Sequence, residues 1–213
     1  MNKKVKNVSY NTTNTYETLN ELNSQTKRVW LVFHGIGYLS RFFLKYFADL
    51  PKEENYVIAP QAPSKYYLKN EYKHVGASWL TKENTSLETI NVFNYMDAVL
   101  ENENLPEHCE IIFLGFSQGV SIATRYLAYS KLQCSKLIIY AGGLPNELKK
   151  QDFNFLNKDT KVISIIGDKD QYLSPGRLSK ESEKIQLLFG DNIQHINFDG
   201  VHEVRKEIIN QLV

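Results

Sequence analysis

Ile111-Ile112-Phe113-Leu114 runs straight into Gly115-Phe116-Ser117-Gln118-Gly119, and Val120 to Tyr129 follows. The first four residues read as a buried strand. Val120, Ile122, Ala123, Tyr126 and Leu127 recur on one face of a helix. Between them stands G-x-S-x-G at a strand–turn–helix junction. A turn that sharp holds its serine in a strained backbone conformation, and side chains at the flanking glycine positions would collide with neighbouring elements. The serine hydroxyl is then presented at a helix N-terminus, where the helix dipole favours a developing negative charge. With 14 serines and 11 glycines in 213 residues, chance gives roughly 0.04 such patterns per chain, so the setting decides. The bland alternative for Ser117 is a helix cap in a glycine-tight turn.

Working outward, Val29–Phe33, Tyr56–Ala59, Leu137–Tyr140, Val162–Ile166 and Ile193–Phe198 are further short apolar runs. Being rich in Val, Ile and Phe and mostly continuous, they predict parallel strands covered on both faces. Amphipathic stretches over Ser86–Glu103, Arg177–Phe189 and Glu203–Leu212 predict helices between and after them, the first capped around Ser86. Strand–helix alternation with right-handed crossovers gives an α/β sandwich. The polar, β-branched Val5–Tyr10 and Thr15–Leu19 predict an antiparallel edge hairpin within residues 1–27. Residues 61–83, with Tyr66, Tyr67 and Trp79, show no period and read as an irregular aromatic loop. No repeat or low-complexity linker interrupts the chain, so residues 1–213 are expected to form one domain.

The 25 basic and 24 acidic side chains leave a net charge of +1, so no field favours nucleic acid or an anionic membrane. No apolar run reaches a membrane span, and the three lysines near the start precede no signal-like segment, which points by default to a cytoplasmic protein. Cys109 and Cys134 fit neither a disulfide framework nor metal spacing, so no metal and no cofactor is expected.

A serine needs a base to become a nucleophile. Of five histidines only His195 and His202 follow Ser117. His195 sits within a strand pattern and reads as a packed strand residue. His202, behind Asp199-Gly200-Val201, lies beyond a strand's carboxyl end, where ligands bind in open parallel sheets. A carboxylate must orient that base. Gly167-Asp168-Lys169-Asp170 offers two: Asp168, placed to bond the turn's own backbone, and Asp170, farther out and preferred. An oxyanion needs two donors. The backbone N–H of Gln118 is one, and His34-Gly35-Ile36-Gly37 suggests the N–H of Ile36 as the other. His34 itself reads as structural.

These four motifs, HGIG, GFSQG, GDKD and GVH, together resemble the phospholipase/carboxylesterase family of α/β hydrolases, which includes acyl-protein thioesterases. The resemblance runs from about Arg28 to the C-terminus and is most specific at GFSQG. The family's acid pattern, aligned on Gly167 to Pro175 with one extra residue, favours Asp170. Ala59-Pro60-Gln61-Ala62-Pro63 also looks like the family's proline-rich segment. Two departures stand out. Ile166 replaces the family's usual histidine before the acid turn, and the segment after Pro63 is closer to a bacterial esterase branch than to the thioesterases. The resemblance implies an α/β-hydrolase fold and a small acyl-ester substrate. It implies catalysis by Ser117, His202 and Asp170. Tyr66, Tyr67 and Trp79 supply apolar area that reads either as the wall of an acyl pocket or as packing of a long surface loop onto the domain. A thioesterase or deacylase of acylated protein or acyl-CoA is the alternative, and a non-catalytic binding module the remote one. A homodimer is common among such enzymes, though no interface is legible in the chain.

Overall fold

The computed structural model describes residues 3–190 and 193–213. In chain order the strands and helices are β1 (Tyr16–Leu19), β2 (Arg28–Phe33), α1 (Ser40–Phe43), β3 (Asn55–Pro60), β4 (Ser64–Tyr67), β5 (Val75–Ser78), α2 (Thr85–Glu103), β6 (Glu110–Phe116), α3 (Gln118–Ser130), β7 (Lys136–Tyr140), β8 (Lys161–Gly167), α4 (Pro175–Phe189), β9 (Ile193–Phe198) and α5 (Lys206–Asn210). Seven strands form one sheet in the order β1-β3-β2-β6-β7-β8-β9. Six of them run parallel, and β1 closes one edge antiparallel to β3. This is the α/β-hydrolase architecture that the strand–helix alternation implies.

The continuous apolar runs exist because both sheet faces are covered. From β2, Val29, Leu31 and Phe33 face the layer of α2, α3 and α4 and belong to the same core cluster as Met96, Tyr126 and Ile185. Trp30 and Val32 face the opposite layer, against Phe43 and Phe47 on one side and Ile208 and Ile209 on the other. Each such side chain contributes about 1.5–3 kcal/mol when fully buried. The indole N–H of Trp30 stays satisfied in that layer by donating to Asn55 Oδ1 at 3.0 Å. Among the described residues no helix is long and apolar enough to cross a membrane.

The structure departs from the sequence reading at several places. The N-terminal antiparallel partner of β1 is β3, and residues 5–10 form no second arm; they are exposed and pair with nothing regular. The free edge of β3 offers β1 a ready-made ladder, while Val5–Tyr10 has no such edge. Residues 61–83 contain a two-stranded ribbon, β4 with β5, paired from Ser64↔Ser78 to Tyr67↔Val75. Its strand β4 is exposed throughout, so no inside–outside period marks it in sequence. The helix expected to be capped at Ser86 begins at Thr85, behind Asn84 in the left-handed conformation (φ 50°), without a side-chain cap. His195 is on β9, the opposite sheet edge, and is exposed instead of packed. The last helix is shorter than Glu203–Leu212, because Arg205 is still extended and its N–H donates to the Tyr140 hydroxyl.

The contact between α3 and β2 fixes how closely the elbow sits on the sheet. A Cβ at Gly119 would lie 2.0 Å from the Phe33 carbonyl oxygen, whereas one at Gly176 in the first turn of α4 meets nothing within 4 Å. Gly119→Ala should therefore lower the free energy of unfolding by about 1–3 kcal/mol, as overpacking does. Gly176→Ala should be neutral or stabilise by up to about 1 kcal/mol. Denaturant unfolding of the two variants measures both.

Candidate active site

Ser117 stands between β6 and α3 with φ 53° and ψ −117°, a conformation that L-residues rarely adopt and that costs on the order of 1–3 kcal/mol. Its surroundings over-determine it. The Ser117 N–H donates to the Tyr140 carbonyl on β7 at 2.9 Å, and its own carbonyl accepts from Val120 at 3.1 Å. A Cβ at Gly115 would lie 2.4 Å from Val120 Cα, and one at Gly142 would lie 2.3 Å from the Ser117 carbonyl oxygen. Only glycine lets three strands' ends and a helix start crowd this closely.

The loops beyond β8 and β9 bring the other two groups. His202 Nε2 lies 2.9 Å from Ser117 Oγ. His202 Nδ1 lies 2.6 Å from Asp170 Oδ2. Asp170 is buried, and its second oxygen accepts the backbone N–H of Tyr172 at 2.8 Å. The imidazole is held between two rings, Phe116 at 5.0 Å and the edge-on Tyr172 at 4.8 Å. Ser117, His202 and Asp170 thus form one hydrogen-bonded chain. Asp168 takes no part in it; its Oδ1 accepts the Gly200 N–H at 3.0 Å. Beside it, the Lys169 N–H donates to the Gly200 carbonyl. These bonds strap the acid turn to the turn carrying His202. A Cβ at Gly167 would lie 2.5 Å from both the Gly200 and Val201 carbonyl oxygens, so glycine is what permits the strap.

The loop after β2 reaches the same place, since a Cβ on Gly35 would lie 3.2 Å from Ser117 Cβ. Among the described residues, no protein acceptor engages the backbone N–H of Ile36 or of Gln118. Both donors are therefore open, one on this loop and one at the start of α3. His34 is fully buried beneath the loop. Its Nδ1 is 2.8 Å from the Gly35 carbonyl and its Nε2 is 3.2 Å from the Ala62 N. A carbonyl can only accept and an amide N–H can only donate, so the ring is neutral with its proton on Nδ1. Burial pulls its pKa from 6.5 down to about 4, which keeps it neutral.

The three aromatic wall candidates divide. Tyr66 and Tyr67 are exposed on β4, with the Tyr66 hydroxyl near Gly37. Trp79 is corrected: it is 1% exposed, packs against Phe33 and His34, and donates its indole N–H to the His34 carbonyl at 2.8 Å. An indole so enclosed braces the loop from inside and presents no open wall. The ribbon itself is tied to the loop, with Gly37 N–H donating to Ala77 and Ala77 N–H to Tyr38. The sequence reading also missed the Gln118 side chain. Its Oε1 accepts the Trp79 N–H at 2.9 Å and its Nε2 donates to the Leu80 carbonyl at 2.7 Å. Its place one residue after the nucleophile candidate was the available signal. A polar side chain at a helix start beside a core must find partners.

His34 makes the loop pH-sensitive. Its folded pKa lies below the unfolded value, so the unfolded chain binds the extra proton as pH falls from about 6.5 toward 4. Stability from the neutral ring is complete above that window and is lost on acidification through it, by up to about 3 kcal/mol. Denaturant unfolding at pH 7 and pH 4.5 should show this drop, and His34→Asn should show a shallower one.

A family model described as phospholipase/carboxylesterase matches residues 14–212. Comparison with curated proteins finds no match. Among solved structures, acyl-protein thioesterase 2 of Zea mays superposes with a TM-score of 0.68 at 14% identity, covering 94% of this chain and 96% of that one. A carboxylesterase of Bacillus cereus gives 0.66 at 16% identity, covering 93% and 91%. A phospholipase/carboxylesterase of Dyadobacter fermentans DSM 18053 gives 0.63 at 20% identity, covering 96% and 98%. Identities this low speak for a shared fold, while the family match spans nearly the whole chain. The chain belongs to the phospholipase/carboxylesterase family, and it is a hydrolase of the esterase type.

Proposed function

We propose that Ser117, His202 and Asp170 are a catalytic triad and that the protein hydrolyses carboxylic acyl esters through an acyl-enzyme. The observation that carries this reading is the hydrogen-bonded chain from Ser117 Oγ through His202 to the buried Asp170 carboxylate, at 2.9 and 2.6 Å. In the first half, Ser117 Oγ attacks the acyl carbonyl carbon while His202 Nε2 takes the hydroxyl proton. Asp170 holds the Nδ1–H tautomer and stabilises the imidazolium. The N–H groups of Ile36 and Gln118 donate to the oxyanion, a role supported by their having no protein acceptor among the described residues. His202 then returns its proton to the departing alcohol. In the second half, a water molecule deprotonated by His202 attacks the acyl-serine, and the acid leaves as Ser117 regains its proton.

The surrounding braces serve this chemistry by fixing its geometry before substrate arrives. His34 and Trp79 hold the Ile36 loop, Gln118 pins the start of α3, and Asp168 fixes the His202 turn. A preorganised site pays no reorganisation when charge develops. The same attack opens a thioester, and the fold shared with a plant acyl-protein thioesterase supports that second reading. Matched oxygen and sulfur esters of one acyl group separate the two by their kcat/KM ratio.

Ser117→Ala should lower turnover of p-nitrophenyl esters by about 10⁴-fold or more and leave thermal unfolding near that of the wild type. Undiminished hydrolysis would refute the assignment. Asp170→Asn should lower kcat by about 10³–10⁴-fold, because the base is left in the wrong tautomer. Asp168→Asn keeps an oxygen acceptor for the Gly200 N–H and should cost less than about tenfold. Steady-state kinetics on the pair decides which aspartate is the acid.

A further inference from the structure

We propose that an open groove beside His202 is the leaving-group subsite, and that it takes an uncharged, ring-bearing alcohol. This rests on the assignment of Ser117 and His202 given above. When the tetrahedral adduct collapses, the C–O bond to the alcohol breaks and the alkoxide oxygen receives its proton from His202 Nε2. The leaving group therefore lies on the His202 side of the reacting carbon.

A run of ring contacts connects His202, through the buried Phe116, to Tyr38 and Tyr46. Phe116 is 5.0 Å from the imidazole, Tyr38 is 5.9 Å from Phe116, and Tyr46 is 6.4 Å from Tyr38. Tyr38 and Tyr46, with Phe42, form one wall of a groove of about 710 Å³. Glu203, Arg205 and Lys206, which follow His202 in the chain, contribute to the opposite wall. That volume is within the range of small-molecule sites, about 300–1,000 Å³. The groove is thus continuous in sequence with the base on one wall and, through Tyr38, with the Ile36 loop on the other.

The chemistry of the walls selects the occupant. Phe42 is 46% exposed, with the side chains of Arg41 and Lys45 lying 4.9 and 5.0 Å from its ring centroid. The Tyr38 ring is fixed by edge contacts to Phe43 and Phe116, and its hydroxyl meets that of Tyr46 at 3.3 Å. Fixed aromatic faces favour another ring in offset or edge contact. On the second wall Arg205 pairs with Glu203 at 2.7 Å and Lys206 with Asp49 at 3.2 Å, and Glu207 sets a negative charge against Lys45 on the first wall. No excess of one sign calls for an ionic alcohol.

The test compares 2-naphthyl acetate with phenyl acetate, which share the acyl group and differ in ring area. The kcat/KM ratio of naphthyl to phenyl ester should fall about 3–10-fold in Phe42→Ala and recover in Phe42→Trp. The ratio of phenyl hexanoate to phenyl acetate should stay within about twofold in both variants, since the acyl chain lies elsewhere. A shift in the acyl ratio instead would make the groove an acyl site and overturn the proposal. So would ratios that do not move. An anionic alcohol is tested with 4-sulfophenyl acetate: if Lys45→Ala costs that ester more than Phe42→Ala costs the naphthyl ester, the occupant is charged and the proposal falls. Ser117→Ala run alongside keeps the two levels apart. Ester turnover that survives Ser117→Ala refutes the underlying mechanism, whereas unmoved ratios with Ser117 required refute the subsite alone.

Discussion

The backbone of Ser117 is the constraint on which the rest of this structure depends. A non-glycine residue at φ 53° and ψ −117° is unfavourable on its own, and it persists because strand, helix and neighbouring loops leave it no room to relax. Gly115 lets β6 and α3 meet at van der Waals distance, Gly119 lets α3 close on the end of β2, and Gly142 lets the loop after β7 close over the serine carbonyl. The turn is thus maintained by the packing of both sheet layers, and the strain is a consequence of good packing around it. Its product is a hydroxyl held at a fixed point above the carboxyl ends of the parallel strands.

Every other group of the site is placed relative to that point by backbone-level bonds. Asp168 and Gly167 join the acid turn to the His202 turn, so that Asp170 and His202 move as one unit. His34 works from below, donating to the Gly35 carbonyl and accepting from Ala62, and Trp79 adds a bond to the His34 carbonyl. Gln118 links the start of α3 to the ribbon of β4 and β5, which is itself bonded to Gly37 and Tyr38. Buried polar groups that are fully satisfied in this way rigidify a site. Loops are mobile by default, but these are tied at several points each.

Sheet and site were unequally legible in sequence, for physical reasons. The six parallel strands were readable because strands covered on both faces must be apolar at nearly every position. Ser117 was readable because its turn demands two glycines, and His202 because chain order and a place beyond a strand end leave few candidates. Asp170 was less so, since Asp168 sits two residues away and only the fold shows which carboxylate points at the imidazole and which at a backbone N–H. Aromatic content around residues 61–83 marked a segment next to the site but not the direction of each ring. Trp79 turned inward while Tyr66 and Tyr67 stayed exposed. The β-propensity of Val5–Tyr10 carried no information about whether a sheet edge was available to it. The role of the Gln118 side chain depends on Leu80 and Trp79, about 40 residues away, and a local reading cannot find such partners.

The central claim is that a strained, preorganised Ser117 is the nucleophile, and covalent labelling tests it most directly. Reaction with a fluorophosphonate, followed by mass spectrometry of the intact protein and of its peptides, should show one adduct per chain, on Ser117. The adduct should form far more slowly in His202→Ala, where the base is missing. Adduct formation on another residue, or none on Ser117 in the folded wild-type protein, would contradict the account.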